Sequence, residues 1–152
     1  MSGLVRSLKE ITPFYVKGIV AHGFRRGSTM LQMPTANLSY DSLLEKSEKP
    51  QTGVYFGWTS LRTQVYPSVI NIGNNPSFNN EHVTIEVYLI HTFDFDFYDE
   101  ELRVLVCGFD RSEYKFASFN ELKQTMHEDA RLCNELLLKE PFLHYKNDKF
   151  FL

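Results

Sequence analysis

Along the first two thirds of the chain, apolar and polar residues alternate with a period of two, the pattern of strands with one buried face. The runs Tyr15–Ala21, Val54–Ser60, Pro67–Ile72, Val83–His91 and Leu102–Phe109 predict strands, and Gly73-Asn74-Asn75-Pro76 predicts a turn between two of them. The polar stretch Asp41–Thr52 reads as a surface loop or short helix. The period then changes. Phe119, Leu122, Met126, Ala130, Cys133 and Leu137 recur at three- and four-residue steps, behind the capping-box pattern Ser118-Phe119-Asn120-Glu121. This predicts one amphipathic helix, limited by Pro141. Short strands followed by a single terminal helix imply a mainly β fold, a closed sheet with the helix packed against it. The aromatic tail Phe142–Leu152 is expected to dock on that sheet rather than stand free in solvent.

Composition narrows the function classes. At 152 residues the chain fits one domain, 1–152, and its 13 Phe and 8 Tyr suit a β-rich core. A net charge of −3, with Arg25-Arg26 the longest basic run, gives no field for a phosphate polymer, so no nucleic-acid partner is expected. Apolar runs are as short as Val104–Cys107 and the N-terminus has no continuous apolar leader, so no membrane partner is expected either. Two cysteines, Cys107 and Cys133, are too few for a disulfide framework and fall on apolar faces, as buried thiols of a reducing compartment do. A cytoplasmic monomer is the working expectation.

Familiar catalytic templates are missing: no GxxxxGK[ST], GxSxG, HExxH or CxxC occurs. Asp94-Phe95-Asp96-Phe97-Tyr98 starts like a calcium loop but lacks its third ligand and its glycine. What survives is His22-Gly23-Phe24-Arg25-Arg26-Gly27-Ser28-Thr29, where glycines and arginines could cradle phosphates. Taken alone, a basic surface turn explains it as well. Five residues after Thr29 begins Pro34-Thr35-Ala36-Asn37. In an extended segment Thr35 and Asn37 face the same way and offer two hard oxygens suited to Mg²⁺; a turn with local hydrogen bonds is the plain alternative.

The blocks Gly18–Val20, His22-Gly23, Arg26-Gly27-Ser28 and Met33-Pro34-Thr35-Ala36-Asn37 closely resemble the N-terminal signature of riboflavin kinases. So do Thr52-Gly53-Val54-Tyr55-Phe56-Gly57-Trp58, Ile72-Gly73-Asn74-Asn75-Pro76 and Ile85-Glu86-Val87-Tyr88 with Ile90-His91-Thr92-Phe93. Asp96-Phe97-Tyr98 and Phe109-Asp110-Arg111-Ser112-Glu113 continue the series in order. The resemblance implies a closed antiparallel Greek-key β-barrel with a C-terminal helix against it. It implies transfer of the ATP γ-phosphate to the 5′-hydroxyl of riboflavin, yielding FMN and ADP. It further implies that Gly23, Arg26, Gly27, Ser28 and Thr29 wrap the phosphates and that Thr35 and Asn37 hold Mg²⁺. Glu86 would be the catalytic base. Leu89, His91 and Tyr98 would contact ATP, and Arg111, Tyr114 and Phe116 would close over the flavin. Zn²⁺ or Mn²⁺ would suit the same oxygens.

Strand periodicity supports one of these roles independently. Between Thr84 and Ile90, Ile85, Val87 and Leu89 share one face, while Glu86 and Tyr88 share the other. A carboxylate on a rigid strand can accept the proton of an attacking hydroxyl, and phosphoryl transfer needs little beyond that, positioning and charge neutralisation. Three departures from the family pattern stand out: Arg25 and Gln32 where glycine is usual, and Thr29 where a basic residue is usual. Asp110 and Ser112 around Arg111 are also uncommon. Two rival functions remain, a flavin-binding barrel without catalysis and an oligonucleotide-binding barrel, and the acidic balance weighs against the second. These 152 residues leave no room for an adenylyltransferase domain.

Overall fold

The alternating segments form six antiparallel strands among the described residues: β1 (Lys9–Ile19), β2 (Thr35–Ser39), β3 (Gly53–Leu61), β4 (Gln64–Asn74), β5 (Val83–Leu89) and β6 (Glu101–Arg111). They lie in one sheet in the order β1-β6-β3-β4-β5-β2. The computed structural model describes residues 4–21, 35–39, 50–74, 83–93 and 95–152. The expected 41–52 loop and the Gly73–Pro76 turn fall mostly outside these residues; Gly73 and Asn74 still belong to β4. Strands β3, β4 and β5 follow one another as hairpins and β6 returns beside β3, which is a Greek key.

Two strands depart from the sequence expectation. β1 starts at Lys9, six residues before Tyr15, because its register shifts between Glu10 and Phe14. The irregularity leaves Ile11 and Phe14 both against the interior and hides the period of two. β2 is a separate strand of five residues, too short and too polar to announce itself.

All six strands send side chains into one interior cluster, among them Val16, Leu38, Tyr55, Ile70, Ile72, Val87 and Val104, so the sheet curls around its own core. The edge strands meet where the Ala21 amide donates to the Asn37 carbonyl at 3.0 Å. The observed pairings are those of a six-stranded antiparallel sheet, without a β1–β2 ladder among them.

The outer face carries the helix α1 (Phe119–Leu137). Met126, Ala130, Cys133 and Leu137 form its buried stripe and pack on Phe56, Trp58, Val69, Tyr88 and Leu105. Each such Leu-sized burial stabilises by about 1.5–3 kcal/mol. Ser118 caps the helix as the sequence indicates, its Oγ accepting from the Glu121 amide at 3.2 Å. β3 lies between the interior and the helix and is buried throughout. Close approach of rings to backbone explains Gly108, where a Cβ would meet the Phe56 ring at 2.1 Å.

Phe142 is buried, and Trp58 Nε1 donates to its carbonyl at 3.0 Å. Two 3₁₀ turns, Leu143–Asn147 and Lys149–Phe151, complete the tail. Phe150 packs edge-on to Tyr15, and Arg103 holds the Phe150 and Leu152 carbonyls at 3.0 and 3.1 Å. Docking therefore stops one side chain short of the expectation: Leu152 is 95% exposed. Both cysteines are free and buried, and burial pushes the Cys107 thiol up to about 12. No helix of the described residues is long and apolar enough to cross a membrane.

Candidate active site

Strand β5 divides its side chains as the alternation requires. Ile85, Val87 and Leu89 enter the interior, leaving Glu86 and Tyr88 on the helix side. In the ladder with β2, Asn37 stands opposite Glu86 and Thr35 opposite Tyr88. In the ladder with β4, Asn71 stands opposite Glu86 from the other flank. Directly opposed side chains lie about 4.5–5.5 Å apart at Cβ, so Asn37, Glu86 and Asn71 make one polar row across three strands.

The row is partly buried, with Glu86 and Asn71 half-buried. Asn37 is buried, and Thr35 Oγ1 is buried with no hydrogen-bond partner among the described residues. A buried hydroxyl left over in this way is costly unless something outside the chain uses it. Burial raises the Glu86 carboxyl above its ordinary range, and a hydrogen bond from Tyr88 pulls it partly back. Tyr88 Oη donates to Glu86 Oε1 and lies 3.8 Å from Met126 Sδ of α1. Burial first, then the Glu86 charge, push the Tyr88 phenol well above its usual value, so it remains a donor at neutral pH.

Behind Tyr88 lies a second polar group that joins three parts of the chain. Arg111, at the end of β6, donates from Nε to Asp129 Oδ1 at 3.0 Å and from Nη2 to Oδ2 at 2.7 Å. Arg6 Nη1 reaches both Asp129 Oδ1 and Asp110 Oδ2 at 2.7 Å. Asp110, Asp129 and Arg111 are almost fully buried, so the charges neutralise one another in a dry setting. The Arg111 guanidinium also stands 5.7 Å from the Phe116 ring, which Tyr114 meets edge-on at 5.1 Å. The three residues expected to cover a flavin are thus contiguous. Beside them, a Cβ on Gly73 would meet Glu113 Oε1 at 2.0 Å. The glycine is what lets that carboxylate lie over β4, two residues along from Asn71.

The residues expected at the nucleotide separate from this group. Leu89 is fully buried in the interior, on the opposite face from Glu86. His91 is exposed, and its ring lies 4.7 Å between centroids from Tyr66, tilted, and from Phe93, edge-on. Tyr98 packs against the interior cluster. Gly23, Arg26, Gly27, Ser28 and Thr29 lie outside the described residues. The chain enters that segment just after Ala21, whose amide is bonded to Asn37, and leaves it just before Thr35.

Sequence reading did not single out Tyr88 or Asp129, although each left a signal. Tyr88 is two residues from Glu86 on a strand, and Asp129 interrupts the apolar stripe between Met126 and Cys133. Among the described residues no three His, Cys, Asp or Glu side chains gather as a metal site. The oxygens of Thr35 and Asn37 do fit a hard cation that keeps other ligands from water and phosphate.

Fold and site together define a flavokinase: a curled antiparallel sheet, a helix across one face, and a half-buried carboxylate beside hydroxyl and amide oxygens. The family model described as Flavokinase: Riboflavin kinase matches residues 11–137. The chain belongs to the riboflavin kinase family. It is 36% identical over 140 residues to the mouse riboflavin kinase and 35% identical to the human one, covering 91% of this chain and 90% of each relative. It is 40% identical over 147 residues to the Arabidopsis thaliana bifunctional riboflavin kinase/FMN phosphatase, of which it spans 39%. The crystal structure of riboflavin kinase from Trypanosoma brucei superposes with a TM-score of 0.72 at 26% identity, over 93% of this chain and 90% of that one. A Streptococcus pneumoniae structure described as a macrolide-efflux protein matches with a TM-score of 0.67 at 31% identity, covering 81% of this chain and 39% of that chain.

Proposed function

We propose that this chain transfers the γ-phosphate of ATP to the 5′-hydroxyl of riboflavin, forming FMN and ADP, and that Glu86 is its general base. The observation that carries the assignment is the register of Glu86 between Asn37 and Asn71, with Thr35 one rung away. A half-buried carboxylate of raised pKa, fixed on a strand, accepts a proton from a hydroxyl more readily than an exposed one. Thr35 and Asn37 would hold Mg²⁺, which when bound offsets the charge of the phosphate oxygens. The segment 22–29 would wrap the phosphates. Arg111, Tyr114 and Phe116 would cover the flavin ring, with Arg111 already oriented by Asp129. His91 and Tyr98 would meet the nucleotide. The two buried thiols suit a cytoplasmic setting.

Incubating the purified chain with riboflavin and Mg-ATP tests the reaction directly. FMN and ADP should form in equal amounts and vanish with EDTA. Riboflavin binding without FMN would favour the non-catalytic flavin barrel instead.

A further inference from the structure

We propose that Tyr88 is a positioning residue for the phosphoryl transfer, fixing the Glu86 carboxylate so that one oxygen faces the incoming hydroxyl. The inference rests on the reading of Glu86 as the base. Residues two apart on a strand project from the same face, so the Tyr88 phenol and the Glu86 carboxylate are neighbours by construction. The phenol donates to Glu86 Oε1, which leaves Oε2 to receive the riboflavin proton.

Tyr88 is suited to this because it is packed in the core on the helix side. Its ring belongs to the helix-side cluster and is 5% exposed. Its hydroxyl lies 3.8 Å from Met126 Sδ of α1, and Thr35 stands opposite Tyr88 on β2. A Glu side chain alone has three rotatable bonds, and a base that wanders by an ångström can forfeit about a hundredfold in rate. Phenylalanine would fill the same space, so packing does not require the hydroxyl. What the hydroxyl adds is a hydrogen bond to the carboxylate.

The two residues can be separated by a double-mutant cycle in the full-length chain, using Tyr88→Phe, Glu86→Gln and the pair. Tyr88→Phe should lower kcat about tenfold or more, leave both KM values within about twofold, and keep Tm within a few degrees. In the Glu86→Gln background the same change should have almost no effect on kcat, because the group it positions is gone. A normal kcat in Tyr88→Phe beside a slow Glu86→Gln would overturn the proposal and leave the base assignment standing. Equal losses in both backgrounds would also overturn it, since Tyr88 would then act on something else. A wild-type rate in Glu86→Gln would remove the base assignment and the role of Tyr88 with it.

Discussion

Asn37 of β2 stands directly opposite Glu86 of β5, both on the helix side of the sheet. A neutral amide beside a half-buried carboxylate imposes no net charge of its own, which suits the proposed approach of phosphate oxygens. The register also fixes Thr35 one rung along, opposite Tyr88. Three groups assigned to the reaction therefore derive their placement from one short ladder.

Thr35→Ala should raise the concentration of Mg-ATP needed for half-maximal rate by about tenfold, the size of one lost contact to a charged group of roughly 1.5 kcal/mol. Riboflavin affinity should change little. Tm should hold, because Thr35 Oγ1 is buried without a partner among the described residues and its removal breaks no internal bond. Isothermal titration with each substrate, beside a thermal melt, separates these outcomes. Equal losses for both substrates together with a lower Tm would indicate a structural role instead.

His91 is exposed and touches the Tyr66 and Phe93 rings, which also meet each other. Its replacement by Ala should weaken ATP use by about three- to tenfold, as expected for losing a stacking contact of roughly 1 kcal/mol. The KM for riboflavin should be unaffected. Steady-state kinetics with each substrate varied in turn checks this, and a selective rise in the riboflavin KM would place His91 at the other substrate.

Asp129 accepts from Arg111 and Arg6 at once, in a nearly dry interior. Asp129→Asn should therefore destabilise the fold by about 3–5 kcal/mol, the cost of leaving a buried guanidinium without its counter-charge. Replacing Arg111 by Met and Asp129 by Leu together should recover much of that loss while abolishing tight flavin binding. Urea denaturation of the three proteins makes the comparison. A loss below about 1 kcal/mol in Asp129→Asn would show that water reaches the pair.

Burial first, and then the nearby Asp129 carboxylate, push the Asp110 carboxyl up to about 6, against an ordinary value of 3.8. Between those values the folded state holds a proton that the unfolded state has lost. Stability from this group therefore declines as pH rises from about 4 to about 6 and is level above that. Asp110→Asn removes the titration. Relative to the wild type, the variant should gain on the order of 1–3 kcal/mol between pH 4 and pH 7, as measured by urea melts at both ends. A constant difference would contradict the raised value.

Much of this was legible in the chain itself, for identifiable reasons. Glu86 could be placed opposite the apolar row of β5 because strand alternation is strict, and α1 could be placed because its stripe and cap are strong. The start of β1 was obscured by an irregularity near Glu10, which breaks the period on which strand recognition depends. β2 was visible only as a chemical motif, since five residues alternating Thr, Ala, Asn, Leu and Ser carry little β signal. The Arg6–Asp110–Asp129–Arg111 group could not be read at all. Arg6 and Asp129 are 123 residues apart, and no local rule joins them. The interior position of the Leu89 side chain follows from the same alternation that turns Glu86 toward the helix.

The most direct test follows label from ATP in a single turnover. With γ-labelled ATP, riboflavin and Mg²⁺, label should appear in FMN with the wild-type chain and about 10²–10⁴ times more slowly with Glu86→Gln, while riboflavin binding is retained. Transfer at the wild-type rate by Glu86→Gln would show that the carboxylate between Asn37 and Asn71 is not the base, and would contradict the account at its centre.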